Sequence, residues 1–369
     1  MVPLPSLIGM TRAEIAAFLG ERKDAKMRAS QIARWIYAEA VDSFEAMSDL
    51  PASLRSELAE TCVINPLTIA RHARSTDFVD KLLVHGGDNQ VFECVLLPYQ
   101  DRVSCCLSSQ VGCPMGCTFC ATGLGGFDRN LSVSEIVGQY LLLQKLRKDQ
   151  IKSRIKVMGK DERISRVVFM GMGEPLLNLP NLLKALVLLH DEVGLSYRHI
   201  TVSTVGLVPQ INELAEIKLP IHLALSLHSP DDAIRDRLMP VNKRWPVQEV
   251  VGAMKAYMRK TGRKITLEYL LIGDLTDSTE QATKLARLIS GVPSVVNLIP
   301  FNYVSTEQGY KRPTRESIMA FKNELKKRGV NVTQRVERGH DIAAACGQLA
   351  GEHTGRFAKR EKLPLAVTQ

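Results

Sequence analysis

A chain of 369 residues is too long for one small domain and suits a large α/β domain with an appendage. Apolar residues at 45% and charged residues at 24% are globular proportions, which exclude a disordered or fibrous chain. No apolar run approaches the ~20 residues that span a bilayer, and residues 1–18 lack a secretory pattern, so no membrane partner and a cytoplasmic location are expected. The net charge of +9 is compatible with a polyanionic partner such as nucleic acid.

Residues 1–65 read as a helical N-terminal accessory domain. TRAEIAAFLGER opens on a Thr cap with Ile15, Phe18 and Leu19 spaced for a helix, RASQIARWIYAEA puts Ile32, Trp35 and Ile36 on one face, and SDLPASLRSELAE makes a third short helix. Residues 66–98 read as a β-rich connector, with strands in TIARHARS, FVDKLLVHG and QVFECVLLPY. From 99 to 350 short β-branched runs (VSCCLSS, SRVVFMG, HITVST, IHLALSL, ITLEYLL, VNLIPF) alternate with amphipathic helices. Such a series predicts an α/β fold with a parallel sheet, closed as a partial (β/α)6 barrel whose chemistry lies at the carboxyl ends of its strands; a doubly wound sheet is the alternative. The stretch 145–166 is dense in Lys and Arg and reads as a basic surface loop, either merely solvated or contacting RNA. Residues 351–369 form a basic C-terminal tail beyond the barrel.

Cys105, Cys106, Cys113, Cys117 and Cys120 crowd together, and the last three form CxxxCxxC directly after the strand VSCCLSS. Three thiolates in one loop suit an iron–sulfur cluster, whereas structural zinc wants four donors in paired short spacings. A [4Fe-4S] cluster on three cysteines leaves one iron for the amine and carboxylate of S-adenosylmethionine, the arrangement that yields a 5′-deoxyadenosyl radical. Phe119 would shield it from solvent. After the next strand, Gly171-Met172-Gly173-Glu174-Pro175 offers close backbone approach and a carboxylate for the methionine amino group. Ser203, Ser226, His228 and Asn302 end later strands at the barrel mouth and suit ribose and adenine contacts. Cys105 and Cys106 must face opposite sides of their strand. Cys62 and Cys94 read as core. His85, His190, His199 and His222 show no partner spacing and read as structural or surface. Arg338 and His340 are placed either to meet RNA or to serve no such role.

The segments CLSSQVGCPMGCTFCATG, VVFMGMGEPLLN, TVSTVGLVP, LALSLHSPDDAIRDRLMPVNKRW, NLIPFN and RGHDIAAACGQLAG carry a resemblance over most of the chain. It resembles the RlmN/Cfr family of radical S-adenosylmethionine RNA methyltransferases. The resemblance implies a radical SAM partial barrel with Cys113, Cys117 and Cys120 as cluster ligands. It implies cofactor contacts at Gly173, Glu174, Ser203, Ser226, Leu227, His228 and Asn302. It makes Cys346 the methylated cysteine, Cys106 the resolving cysteine that forms a transient disulfide with it, and Glu93 the proton acceptor. The implied substrates are an adenosine of 23S rRNA, at carbon 2 in the RlmN branch and carbon 8 in the Cfr branch, and tRNA beside the anticodon. An external electron donor such as flavodoxin and a monomeric state are expected. A reading from another class, an iron–sulfur redox sensor or RNA-binding protein without turnover, accounts for the cluster and the basic charge but not for GMGEP or Cys346.

Overall fold

A computed structural model describes residues 4–88, 90–304 and 306–349. The expected tail at 351–369 and residue 350 lie outside the described residues. Three short helices open the chain: α1 (Arg12–Phe18), α2 (Ala25–Ala33), which runs on into a π-helical turn at Arg34–Ala38, and α3 (Ala52–Thr61). Thr11 caps α1 through a full capping box with Glu14, as TRAE predicts. Ile15, Ile32, Ile36, Leu54 and Leu58 face inward, so each helix is held by its apolar stripe rather than by its length.

Next come β1 (Thr68–Arg74), β2 (Asp80–His85), β3 (Val91–Pro98) and β4 (Val103–Cys106), all antiparallel neighbours. A two-stranded ribbon follows, β5 (Gln110–Gly112) with β6 (Phe127–Asn130), enclosing the one-turn helix α4 (Ala121–Leu124). The chain then alternates: α5 (Val133–Lys152), β7 (Arg166–Phe169), α6 (Leu179–Asp191), β8 (Ile200–Thr204), α7 (Val208–Ile217), β9 (His222–Ser226), α8 (Asp232–Leu238), α9 (Val247–Thr261), β10 (Ile265–Leu271), α10 (Thr279–Leu288), β11 (Ser294–Pro300), α11 (Arg315–Lys327) and β12 (Val332–Gln334). One ten-stranded sheet has the order β1-β2-β3-β4-β7-β8-β9-β10-β11-β12. From β4 onward its pairs are parallel, so the partial (β/α) barrel is present and β12 adds a short strand to its far edge. No described helix is long and apolar enough to cross a membrane.

The basic stretch 145–166 is not one loop. Its first eight residues complete α5, whose capping box of Ser132 and Glu135 starts a helix of 20 residues. Arg147 is fully buried there and donates to the carbonyls of Met158, Gly159 and Asp161, so this cation organises the following loop from inside. A buried guanidinium bound to carbonyls looks like surface charge in a sequence, which is why the pattern hides the end of the helix.

Candidate active site

The cysteine loop is pinned at both ends. β5 and β6 pair across its base, Cys113 N–H donates to the Gly126 carbonyl at 2.6 Å, and Gln110 Nε2 reaches Asn130 Oδ1 at 2.7 Å. The other end of the Gln110 amide, Oε1, accepts from the Glu174 N–H at 2.8 Å. One side chain thereby fixes the cysteine loop against GMGEP. Gly173 is required at this junction. Its φ is +103°, and a Cβ would fall 2.6 Å from Gln110 Cβ. Glu174 is buried, accepting from Leu176 N–H at 3.1 Å and Val205 N–H at 2.9 Å. Burial pushes its carboxyl up to about 7, against the lowering effect of those hydrogen bonds.

Glu174 and Gly173 line a cavity of about 790 Å³, open to solvent at the carboxyl ends of the strands. Phe119, Ser203, Ser226, His228 and Asn302 share its wall, and the two serine hydroxyls lie 3.3 Å apart. His228 stands edge-on to Phe119, with ring centroids 4.9 Å apart. Leu227 does not join them. It is fully buried, its N–H donates to Glu268 O and its carbonyl accepts from Arg235 Nε.

A second cavity of about 700 Å³ adjoins the first, and Cys120, Asn302, Arg335 and Cys346 line both. Cys106 lines the second, while Cys105 on the opposite strand face is fully buried, as alternation requires. Burial and the nearby Cys346 push the Cys106 thiol up to about 12. Cys346 reaches this place on the loop after β12. Ala121 N–H donates to Gly347 O at 2.8 Å, Thr122 Oγ1 to Leu349 O at 3.0 Å, and Asn302 Nδ2 to Cys346 O at 3.3 Å. The loop is therefore tied directly to the helix turn that follows Cys120. Its near end is held by Ser75 and Thr76, which donate to Asp341, and by Arg338, clamped on Asp77 and on the carbonyls of Asp77 and Pro98. Arg338 is thus an internal clamp that also lines the second cavity; His340 is exposed.

Glu93 lies on the same strand face as Cys106, because Val95, two residues on, pairs with Cys106. Its carboxylate is 2.9 Å from Lys81 Nζ and buried, and it is not among the described residues lining either cavity. Two residues with no motif around them, Arg335 and Glu268, do line the first cavity. Glu268 accepts from Asn297 Nδ2 at 2.8 Å, and burial raises its carboxyl. Arg335 faces Cys346, Glu268 and Cys106, which together hold it firmly charged. Strand-end periodicity alone flagged neither; the signal was a charged residue inside an apolar strand for Glu268 and a cation at a strand exit for Arg335.

The residues fit a cluster and a bound S-adenosylmethionine. Three thiols sit in one pinned loop, two half-buried and one buried. Asn302 Oδ1 is buried at the cavity wall with no hydrogen-bond partner among the described residues, an acceptor waiting for a donor. No three described His, Cys, Asp or Glu side chains converge on a single ion position; a four-iron cluster takes each cysteine on a different iron and so needs no such convergence.

Comparison with known proteins agrees. The Radical SAM superfamily pattern matches residues 107–286, and that of the Ribosomal RNA large subunit methyltransferase N-terminal domain matches residues 6–64. A curated relative from Symbiobacterium thermophilum, named "Probable dual-specificity RNA methyltransferase RlmN", is 44% identical over 96% of this chain and 94% of its own length. One of the same name from Bacillus subtilis is 44% identical over 94% of this chain and 93% of its own. The crystal structure of a radical SAM methyltransferase from Sphaerobacter thermophilus superposes with a TM-score of 0.87 at 39% identity, covering 95% of this chain and all of that one. With its cysteine loop, its GMGEP turn and a distant cysteine brought to one cavity wall, the chain belongs to the RlmN family of radical S-adenosylmethionine methyltransferases.

Proposed function

We propose that this chain methylates carbon 2 of an adenosine in 23S rRNA, and of the adenosine beside the anticodon in tRNA, through a methyl group carried on Cys346. The observation that carries this reading is the position of Cys346 on the wall common to two cavities. One holds the residues proposed for S-adenosylmethionine and the other holds Cys106. Cys113, Cys117 and Cys120 would hold the cluster, with Gly173, Glu174, Ser203, Ser226, His228 and Asn302 around the cofactor. When bound, cluster and cofactor supply a radical able to remove a hydrogen atom from a nearby C–H bond.

The chain's own residues account for the rest. Carbon 2 of adenine has no lone pair, so it cannot attack a sulfonium methyl group directly. The Cys346 thiolate can, and Arg335 lines the same two cavities as that sulfur. The S-methyl group gives up one hydrogen atom, and the carbon radical left on Cys346 adds to the ring. After the ring proton passes to a base and one electron to the external redox partner, Cys106 attacks the Cys346 sulfur; the carbon–sulfur bond breaks, the released carbon takes up a proton to become the methyl group, and the disulfide left behind is reduced by an external donor. Cys106 must first ionise, which its buried thiol resists, so this step belongs to a state in which the substrate has opened the second cavity or a base is at hand. Glu93 is the proposed base; with Lys81 on its carboxylate, the ring proton reaches it through water or a shift of that ion pair.

Cys346→Ala is expected to abolish methylation while keeping the cluster's visible absorbance, and Cys106→Ala to leave RNA covalently attached to Cys346. Mass spectrometry of RNA digested after reaction should show 2-methyladenosine; 8-methyladenosine alone would reassign the ring position, and absence of 5′-deoxyadenosine would return the chain to a sensor.

A further inference from the structure

The barrel has a second lined end. Alternation along β4, β7, β8 and β9 turns Ser104, Arg166, Thr201 and His222 to the interior at the amino ends of the strands. Further along the same faces stand Cys106, Met170, Ser203 and Ser226, which line the cavities at the other end. With Arg102 just before β4, Arg198 and His199 just before β8, and Leu97, Tyr99 and Arg335, which also line the second cavity, the amino-end residues enclose about 580 Å³ of open space. Arg263, just before β10, reaches His222 from the next strand, Nη2 lying 3.3 Å from Nε2. Its own Nε is buried with no hydrogen-bond partner among the described residues.

The charge at this mouth is unbalanced. Burial, Arg263, Arg166 and His199 all hold the His222 imidazole below its ordinary pKa, and every charged group among those neighbours is a cation. No Asp or Glu is among the described lining residues. Arg102 pairs with Asp101, which is exposed and next to it in sequence, while Arg166 and Arg198 show no ion pair among the described residues. Gathering guanidinium groups around one space without counter-charge is unfavourable. Strand starts do not require it. An oxyanion removes the cost, and guanidinium forks match phosphate oxygens in pairs. With Arg102, Arg166 and Arg198 permanently charged, a doubly charged phosphate suits the space better than a single carboxylate.

We propose that the amino-end mouth of the barrel, which adjoins the second cavity across Leu97, Tyr99 and Arg335, is a phosphate-binding site formed by Arg102, Arg166 and Arg198 with Ser104 and Thr201. The phosphate is either a free phosphate or pyrophosphate, or a phosphate of the RNA chain. The free-anion case is independent of the proposed RNA methylation; the RNA case rests on it, and the two are read separately.

The test uses the full chain and pyrophosphate as probe, by isothermal titration at fixed ionic strength, comparing wild type with Arg166→Ala/Arg198→Ala. Both arginines are exposed, and circular dichroism checks the fold. Should the alanine pair misfold, Arg166→Gln/Arg198→Gln removes the charge while keeping a long polar side chain and serves the same comparison. A loss of pyrophosphate affinity of at least tenfold assigns a free-anion site. If RNA is the source, the slope of log affinity for tRNA against log salt falls by about one for each phosphate that the variant no longer neutralises. Pyrophosphate affinity and salt slope both unchanged in the variant would overturn the proposal.

Discussion

Leu270 N–H donates to His228 Nδ1 at 3.1 Å, so the single proton of this imidazole sits on Nε2. Burial, and then the cation of Arg235, depress its pKa from 6.5 to about 3. Folding therefore favours the neutral ring. The resulting stability is complete above the unfolded value of 6.5 and is lost progressively as pH falls towards the folded value. By about pH 5 the loss is about 2 kcal/mol, and His228→Asn, whose amide oxygen still accepts from Leu270, should flatten this part of the stability–pH curve measured by urea unfolding. Single residues were legible in the sequence when chemistry forced a spacing: Cys120, the GMGEP turn and the small polar strand ends reach one cavity, while Cys113 and Cys117 are not among its described lining residues. Arg335 and Glu268 belong to no motif: a lone charged residue, inside β10 or just past β12, gains its meaning only when the barrel closes around it. Leu227 fits its expected place in sequence but points into the core.

Periodicity found α5, α6, α7, α9, α10 and α11 and the strands between them, because each buries one regular face. It missed the β5–β6 ribbon, with strands of three and four residues too short for any alternation to register. That ribbon is what holds the cysteine loop rigid. It also missed α8, a seven-residue helix whose Arg235 is buried and donates to Val205 O and Asn242 Oδ1. The segment carrying Cys346 has little regular structure, so its placement depends on the few contacts at its ends. Removing one of them tests this. Asp77→Ala is expected to cost roughly 1–2 kcal/mol and to speed amide exchange across residues 339–349, with methylation slowed while cluster absorbance is kept.

Across the whole molecule, the N-terminal helices meet the barrel through Arg12 with Glu192 and Lys184 with Glu14, ion pairs open to solvent. They also meet it through a close approach at α5, where Asn65 Nδ2 donates to Gly138 O. The second contact should matter more. Arg12→Ala with Lys184→Ala is expected to cost less than about 1 kcal/mol each in thermal denaturation. Gly138→Val, adding bulk where a Cβ would already sit 2.7 Å from Asn65 Oδ1, should cost about 1–3 kcal/mol, although glycine is a poor helix former. The alternation of strands and helices made the barrel itself legible; that β1, β2 and β3 continue the same sheet was not, since a run of antiparallel strands looks the same in sequence whether it stands alone or joins a neighbour.

The order of strands in the large sheet follows the order of the chain throughout, with the β5–β6 ribbon set aside. During synthesis on the ribosome, each new strand therefore emerges to find its neighbour already made, and none must wait for a partner still untranslated. The segment bearing Cys346 comes last. Its thiol is then delivered to a wall that the earlier chain has finished building, so the two cavities that share Cys346 close only after the whole sheet is in place.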